Sequence, residues 1–369
     1  MIIVHKGEKQ MNQKQYILVL SIILFGFICF AQSYVKYEIT QKEQKLYTET
    51  EKLCDKGYYN KALKKTENFI KENPFSIEGV RVRAEIFARQ GDFYRALRDC
   101  DLISFKNPLD IRAIHLKGYA YFYIGNNEAA KKNLSDLIFL EEDLVFAYKY
   151  RAAVFAKLGR YEEAASDCSK AIELEKDDDE SLAALYNDRG LAYFYMNEYS
   201  KSLSDYTNSI MLNDKDYSVF HRRALLYKTC KKYNEAFDDL NIALALCPDS
   251  SELYLLRGIT YRECSEYKKA LDDLNLALKL NPDSCTALFQ RGYLYCSIKD
   301  FKNSNADCTR LGKLYPNTGA TYKLKGIIYI EQGKIKEGYS SLKNALAYLP
   351  NDEEITSLIK VIEKQLEKN

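Results

Sequence analysis

The chain has 369 residues, of which 54 are basic and 52 acidic, for a net charge of +2; 47% are hydrophobic and 13% aromatic, with 31 tyrosines and no tryptophan. That apolar content is enough to bury a long continuous core. The balanced charge excludes bulk nucleic-acid binding, which needs a basic excess to displace counterions, and with it a helical-repeat reader of RNA.

Residues 16–31 form a run of sixteen, nearly all apolar, preceded by Lys6, Lys9 and Lys14. As a helix such a run reaches about 24 Å, short of a ~30 Å hydrocarbon core. Two readings stay open: an export signal cleaved after Cys29-Phe30-Ala31, or a short uncleaved anchor, with Met11 as a second possible start. Bulky Ile28 before Cys29 argues against a lipoprotein. In both readings the basic flank puts the rest of the chain on the outer side of a membrane, and membrane contact is confined to residues 16–31. Residues 32–42 are a lead-in.

Beyond it the chain keeps a clock. Its six prolines stand at Pro74, Pro108, Pro248, Pro282, Pro316 and Pro350, spaced by 34, 140, 34, 34 and 34 residues, and 140 is four periods of 34 plus 4. Proline lacks a donor and ends a helix, so a fixed phase marks a recurring helix end, and this period marks stacked two-helix units. Nine repeats follow, starting at residues 43, 77, 111, 145, 183, 217, 251, 285 and 319 and ending at 352, with residues 179–182 inserted after the fourth. The insertion is expected at a loop tip. Position eight of each repeat is small (Gly118, Ala152, Gly190, Gly258), as is position twenty (Ala130, Ala164, Ser202, Ala270). Small residues facing each other let antiparallel helices approach, and position eleven, mostly tyrosine, fills the space beside them. Residues 353–369 read as a capping helix with polar Lys360, Glu363, Lys364 and Glu367.

This pattern resembles the tetratricopeptide repeat. Tyr254, Gly258, Tyr261, Tyr267, Ala270, Leu274, Ala277 and Pro282 fit it nearly throughout; the tryptophan usual at position four is replaced by Tyr148, Tyr186, Phe220, Tyr254, Leu288 and Tyr322. The resemblance implies an all-α fold, a right-handed superhelical solenoid of nine two-helix units closed by the capping helix.

Position seven carries Arg83, Arg151, Arg189, Arg223, Arg257 and Arg291, and position twenty-three of the same repeats carries Asp99, Asp167, Asp205, Asp239, Asp273 and Asp307. Where position seven is Lys117 or Lys325, position twenty-three is Asn133 or Ser341. This covariation within one chain predicts an ion pair between the two helices of a repeat rather than a ladder of ligand arginines. The ten cysteines show no CxxC and no metal spacing with histidine. Cys100, Cys168, Cys230, Cys264 and Cys308 read as small core fillers. So many free thiols suit an oxidising compartment poorly; a reducing habitat, a cytosolic location or disulfides between repeats would each resolve that.

With three histidines, no phosphate loop and no nucleophile elbow, the sequence reads as a non-enzyme that needs no cofactor and no metal. The family resemblance implies a concave groove lined by positions two, five, nine, twelve and thirteen of each first helix. Mapped here, that face offers Arg112, His115, Tyr119, Phe122, Tyr123, Phe146, Lys149, Lys157, Asn187, Phe194, Tyr195, His221 and Lys228. Repeats three to six carry four cations and no acid at those positions, which suits a partner peptide or helix with acidic and apolar residues. The expected function is a protein-interaction scaffold, exported or membrane-tethered; the alternative is a periplasmic envelope-assembly factor or a small-ligand carrier using the same groove. The family's clamp for chaperone tails, lysine at position five and asparagine at nine, is not in register, because Lys149 is followed by Ala153 and Asn187 by Leu191.

Overall fold

The computed structural model describes residues 39–366, so the expectations for residues 1–38 and for Glu367 lie outside the described residues. Nineteen helices and no strand occur among the described residues. The chain divides into two compact units, Met1–Asn133 and Leu134–Asn369. The first contains α1 Gln41–Asp55, α2 Tyr59–Glu72, α3 Ile77–Arg89, α4 Phe93–Lys106 and α5 Ile111–Tyr123; α6 Asn127–Leu140 straddles the division. The second continues with α7 Val145–Lys157, α8 Tyr161–Leu174, α9 Asp179–Tyr195, α10 Tyr199–Leu212, α11 Tyr217–Thr229, α12 Tyr233–Leu246 and α13 Ser251–Glu263. It ends with α14 Tyr267–Leu280, α15 Cys285–Ser297, α16 Phe301–Leu314, α17 Gly319–Glu331, α18 Ile335–Tyr348 and α19 Glu353–Leu366. Within each unit first helices pack on the second helix that follows them, as α3 does on α4 and α13 on α14, and first helices also touch the next first helix, as α1 does α3 and α13 does α15.

Local chemistry sets these boundaries. The last position of most repeats is a side-chain cap for the next helix: Ser76, Asp110, Asp178, Asp216, Ser250, Ser284 and Thr318 each accept a backbone N–H of the first turn, and Asp352 does the same for α19. Leu144 makes no such bond. The frame predicts a start for α1 at residue 43, yet Thr40 and Glu43 form a capping box and move it to Gln41. The expected loop tip is also corrected. Asp178 keeps its capping role, so residues 179–182 join the front of α9 and lengthen it to 17 residues, against 13 for α7 and α11.

Each turn between the helices of a repeat needs one residue at positive φ. That residue is always position fifteen: Gly57, Gly91, Gly125, Gly159 and Gly333, but Asn197, Lys231, Ser265 and Lys299 in the other four repeats, at φ 58° to 62°.

The small positions meet as expected. A Cβ on Gly258 would lie 3.3 Å from the Ala270 carbonyl oxygen and 3.1 Å from Leu274 Cγ, and one on Gly190 would lie 2.9 Å from the wholly buried ring of Tyr206. Where position twenty is serine, its hydroxyl donates to the opposing glycine carbonyl: Ser202 to Gly190 at 2.8 Å and Ser304 to Gly292 at 2.7 Å. The core of the second unit is built from residues such as Leu240, Leu274, Leu288, Leu294, Leu311 and Leu324, each fully buried and contributing about 1.5–3 kcal/mol. At its end Ile355, Ile359 and Ile362 of α19 pack against Leu342 and Ala345. Glu363, expected to face water, accepts from the Tyr339 hydroxyl at 2.7 Å, because that half-buried hydroxyl needs an acceptor.

The nine described cysteines are free thiols. Cys54, Cys100, Cys168, Cys296 and Cys308 are buried, and burial pushes the Cys100 thiol up to about 12 and Cys168 higher still, so both are inert at neutral pH. The core-filler reading is wrong for Cys230, which caps the C-terminus of α11 and is exposed there.

Candidate protein-interaction surface

The arginines of position seven belong to the scaffold. Arg83, Arg151, Arg189, Arg223, Arg257 and Arg291 each grip the buried aspartate sixteen residues on with two parallel bonds of 2.7–2.9 Å, from Nε and Nη2. A third bond reaches back to position twenty-five of the preceding repeat. Nη1 of Arg151, Arg189, Arg223, Arg257 and Arg291 donates to Ser135, Ser169, Thr207, Asn241 and Asn275 respectively. The aromatic positions four and eleven flank these guanidinium groups: Arg257 lies 5.6 Å from the Tyr254 ring and 6.0 Å from Tyr261, and Arg223 5.8 Å from Phe220 and 5.9 Å from Tyr227. In repeat one the pair is reversed, Glu49 meeting Lys65 at 2.5 Å. Lys117 turns instead to Asp101 at 2.8 Å and Ser104 at 2.9 Å, which explains why its repeat dispenses with the aspartate.

The residues expected to line the groove fall in both units. On α5, Tyr119 and Tyr123 lie 4.7 Å apart; Tyr123 stacks on Phe93 at 5.2 Å and meets Phe122 edge-on at 5.2 Å. Tyr123 is half exposed and His115 is exposed. Arg112 is held by Glu78 at 2.9 Å and Glu85 at 2.8 Å. Glu78 also pairs with Arg81, which reaches Asp110 at 2.5 Å.

In the second unit Phe146 packs on Tyr150 at 4.4 Å, and Tyr195, half exposed, stacks on Tyr161 at 4.7 Å beside Phe194. Lys157 is exposed and Lys149 half-buried. Asn187 is buried, its Oδ1 accepting from Arg222 at 3.0 Å, with Asp188 3.5 Å from the same guanidinium. Lys228 pairs with Glu263 at 2.8 Å and keeps 19% of its side-chain exposure. Burial, with Arg222 beside it, holds the His221 imidazole below its ordinary pKa, against an opposing pull from Glu252.

Two of the four expected groove cations, Arg112 and Lys228, are therefore neutralised by acids of neighbouring repeats. The sequence reading named Glu263 in repeat seven but did not pair it with Lys228, and it missed Glu78, Glu85 and the whole of position six, including Tyr150, Asp188 and Arg222. A signal for them exists, since residues one period apart touch: Glu78 with Arg112 and Asp188 with Arg222 are each 34 residues apart. Position twelve is likewise less open than expected; Cys54 and Cys296 are buried there, in the seam between successive first helices.

Profiles of the tetratricopeptide repeat match residues 145–178 and 251–284, which are the fourth repeat of the frame and its seventh. The chain carries tetratricopeptide repeats. It is 32% identical over 152 residues to human tetratricopeptide repeat protein 13, covering 38% of this chain and 17% of that protein. It is 33% identical over 100 residues to Hsp70-Hsp90 organizing protein 3 of Arabidopsis thaliana, covering 27% of this chain and 17% of that one. The matches to curated relatives span 17 to 30% of their length. Among solved structures, a tetratricopeptide repeat protein from Parabacteroides merdae superposes with a TM-score of 0.59 at 20% identity, covering 69% of this chain and 98% of that one. The Cut9–Hcn1 hetero-tetramer of the APC/C gives 0.51 at 14% identity, over 90% of this chain and 57% of that one. Both show a shared repeat fold.

Proposed function

We propose that this tetratricopeptide-repeat protein is a non-enzymatic scaffold that binds a protein partner, as an extended peptide or a helix, along the face of its first helices. Proteins of this family generally mediate protein–protein interaction. The observation that carries the reading is the half-exposed aromatic surface of the second unit. Phe146 with Tyr150, and Tyr195 with Tyr161 and Phe194, pair their rings yet keep accessible edges. Rigid amphipathic rings of this kind give contact area at low entropic cost. By contrast the position-seven arginines and their aspartates are fully engaged in packing. The name of the Arabidopsis relative implies chaperone partners for that protein, but burial of Asn187 under Arg222 speaks against a transferred tail clamp here.

Residues 16–31 make the scaffold an exported or membrane-tethered one. No helix among the described residues is long and apolar enough to cross a membrane. The test is a pull-down with the full chain, tagged at its C-terminus, alongside Phe146→Ala with Lys149→Glu. Loss of a specific partner with an unchanged far-UV spectrum is expected; full retention by the variant would sink the groove reading. Fractionation of native cells should place the protein outside the cytosol, with an N-terminus at Gln32 if the signal is cleaved.

A further inference from the structure

Position thirty-three is the exposed tip of the turn that joins one repeat to the next. In the seven later repeats it is aspartate, asparagine or lysine, from Asp143 and Asp177 to Asn317 and Asn351. In the first two repeats it is Phe75, 87% exposed, and Leu109, exposed as well. Phe105, one turn before Leu109 at the end of α4, is 90% exposed, and Ile39, just ahead of α1, is also exposed. Single apolar side chains on a surface are ordinary, but these gather on one edge. Thr40 caps α1 together with Glu43, and Ser76 donates to the same Glu43 at 2.5 Å, which ties the turn after α2 to the start of α1. Arg112 donates to Glu78 at 2.9 Å and Arg81 reaches Asp110 at 2.5 Å, which ties the turn after α4 to the start of α3. Ile39, Phe75 and Leu109 each directly precede one of these tied residues.

This is also the edge at which the chain enters α1. The eight residues from Gln32 to Ile39 reach no more than about 29 Å, so the apolar run of residues 16–31 ends within that distance of the edge. In the end turns of α1 to α5 that meet here, the exposed charges are Lys42, Lys71 and Lys106 against Glu72 alone. Bare apolar side chains among lysines suit the boundary of an anionic bilayer, where apolar groups reach the acyl chains and ammonium groups meet phosphates. A self-complementary contact with a second copy would instead bring lysines of one sign together.

We propose that this edge of the first unit rests on an anionic lipid surface, with Ile39, Phe75, Phe105 and Leu109 entering the headgroup boundary and Lys42, Lys71 and Lys106 meeting lipid phosphates. Membrane contact then extends beyond residues 16–31, to which the sequence reading confined it. The inference deepens the membrane-tethered reading of that run and rests on it.

The chain has no tryptophan, so one introduced indole reports its own surroundings. Full-length Phe75→Trp is reconstituted with vesicles of phosphatidylcholine, alone or mixed with phosphatidylglycerol, with brominated acyl chains as the quencher. Asp249→Trp, at the same position of the sixth repeat, is the reference. Phe75→Trp emission should shift to the blue and lose several-fold more intensity to the brominated lipid than Asp249→Trp, which should stay open to aqueous iodide. Phosphatidylglycerol should deepen the quenching, and Lys42→Glu, Lys71→Glu and Lys106→Glu combined should remove that dependence. Because all these side chains are exposed, the thermal transition of each variant should coincide with that of the native chain. Equal quenching at the two positions, in vesicles that carry the chain, overturns the inference and leaves the tether standing. Quenching that ignores phosphatidylglycerol overturns it too. So does a blue shift that grows with protein concentration in the absence of lipid, which would make the occupant a second copy. The tether is judged separately by flotation: a chain that floats with neither lipid mixture overturns both.

Discussion

At the scale of single residues, the buried aspartates of position twenty-three carry the greatest risk. Asp273→Ala would leave Arg257, 20% exposed, with Asn241 alone. The expected cost is on the order of 3 kcal/mol, the low end for breaking a buried pair, and Arg257→Met with Asp273→Leu should recover most of it. Urea denaturation checks both. His221 gives a pH signature. Its depressed pKa means the folded chain binds fewer protons than the unfolded one, so stability falls as pH drops through the unfolded value of ~6.5. His221→Gln should lessen the fall of the melting temperature between pH 7 and 5.5, the remainder belonging to His115, whose imidazole is also held below its ordinary value, by partial desolvation and by Arg112; parallel slopes in native and variant would refute this. The Arg–Asp pairs were legible because one chain repeats the experiment several times, and Lys117 with Asn133 acts as the control. The groove charges were not. Arg112 and Lys228 look free when each repeat is read by itself, and their acids, Glu85 and Glu263, belong to neighbours brought close only by stacking.

At the scale of helices, proline phase and small-residue columns located the elements to within two residues over most of the chain. Two departures have local causes, the Thr40–Glu43 capping box and the cap at Asp178, which converts an insertion into a helical turn. The turns were less legible. Five of the nine position-fifteen residues are glycine and four are not, so composition alone does not announce a required positive φ. A side chain in that region costs about 1–2 kcal/mol, less for asparagine. Lys231→Gly, Ser265→Gly and Lys299→Gly, combined, should therefore raise the thermal midpoint, and the unfolded-state entropy of glycine will offset part of the gain. A lowered midpoint would show that those side chains contribute contacts worth more than the strain.

At the scale of the whole molecule, each repeat leans mainly on its neighbours, which makes stability a sum of local terms. Gly258→Leu should drive a side chain into Leu274 and the Ala270 carbonyl and cost on the order of 1–3 kcal/mol. Hydrogen exchange should then quicken over α11 to α16 while α3 and α4 keep their protection; uniform quickening would mean that the chain unfolds as one cooperative body. The third bond, made by five of the six arginines, has a different consequence. It always points toward the N-terminus, and its acceptor is serine, threonine or asparagine without preference. A block copied by gene duplication would bring its own arginine and aspartate and would find an acceptor on whichever block preceded it. Such an array can gain or lose members without redesigning the joints. The joint has a direction, however: trimming the last repeat removes none of these bonds from the repeats that remain, whereas removing the fourth would leave the Arg189 guanidinium without Ser169.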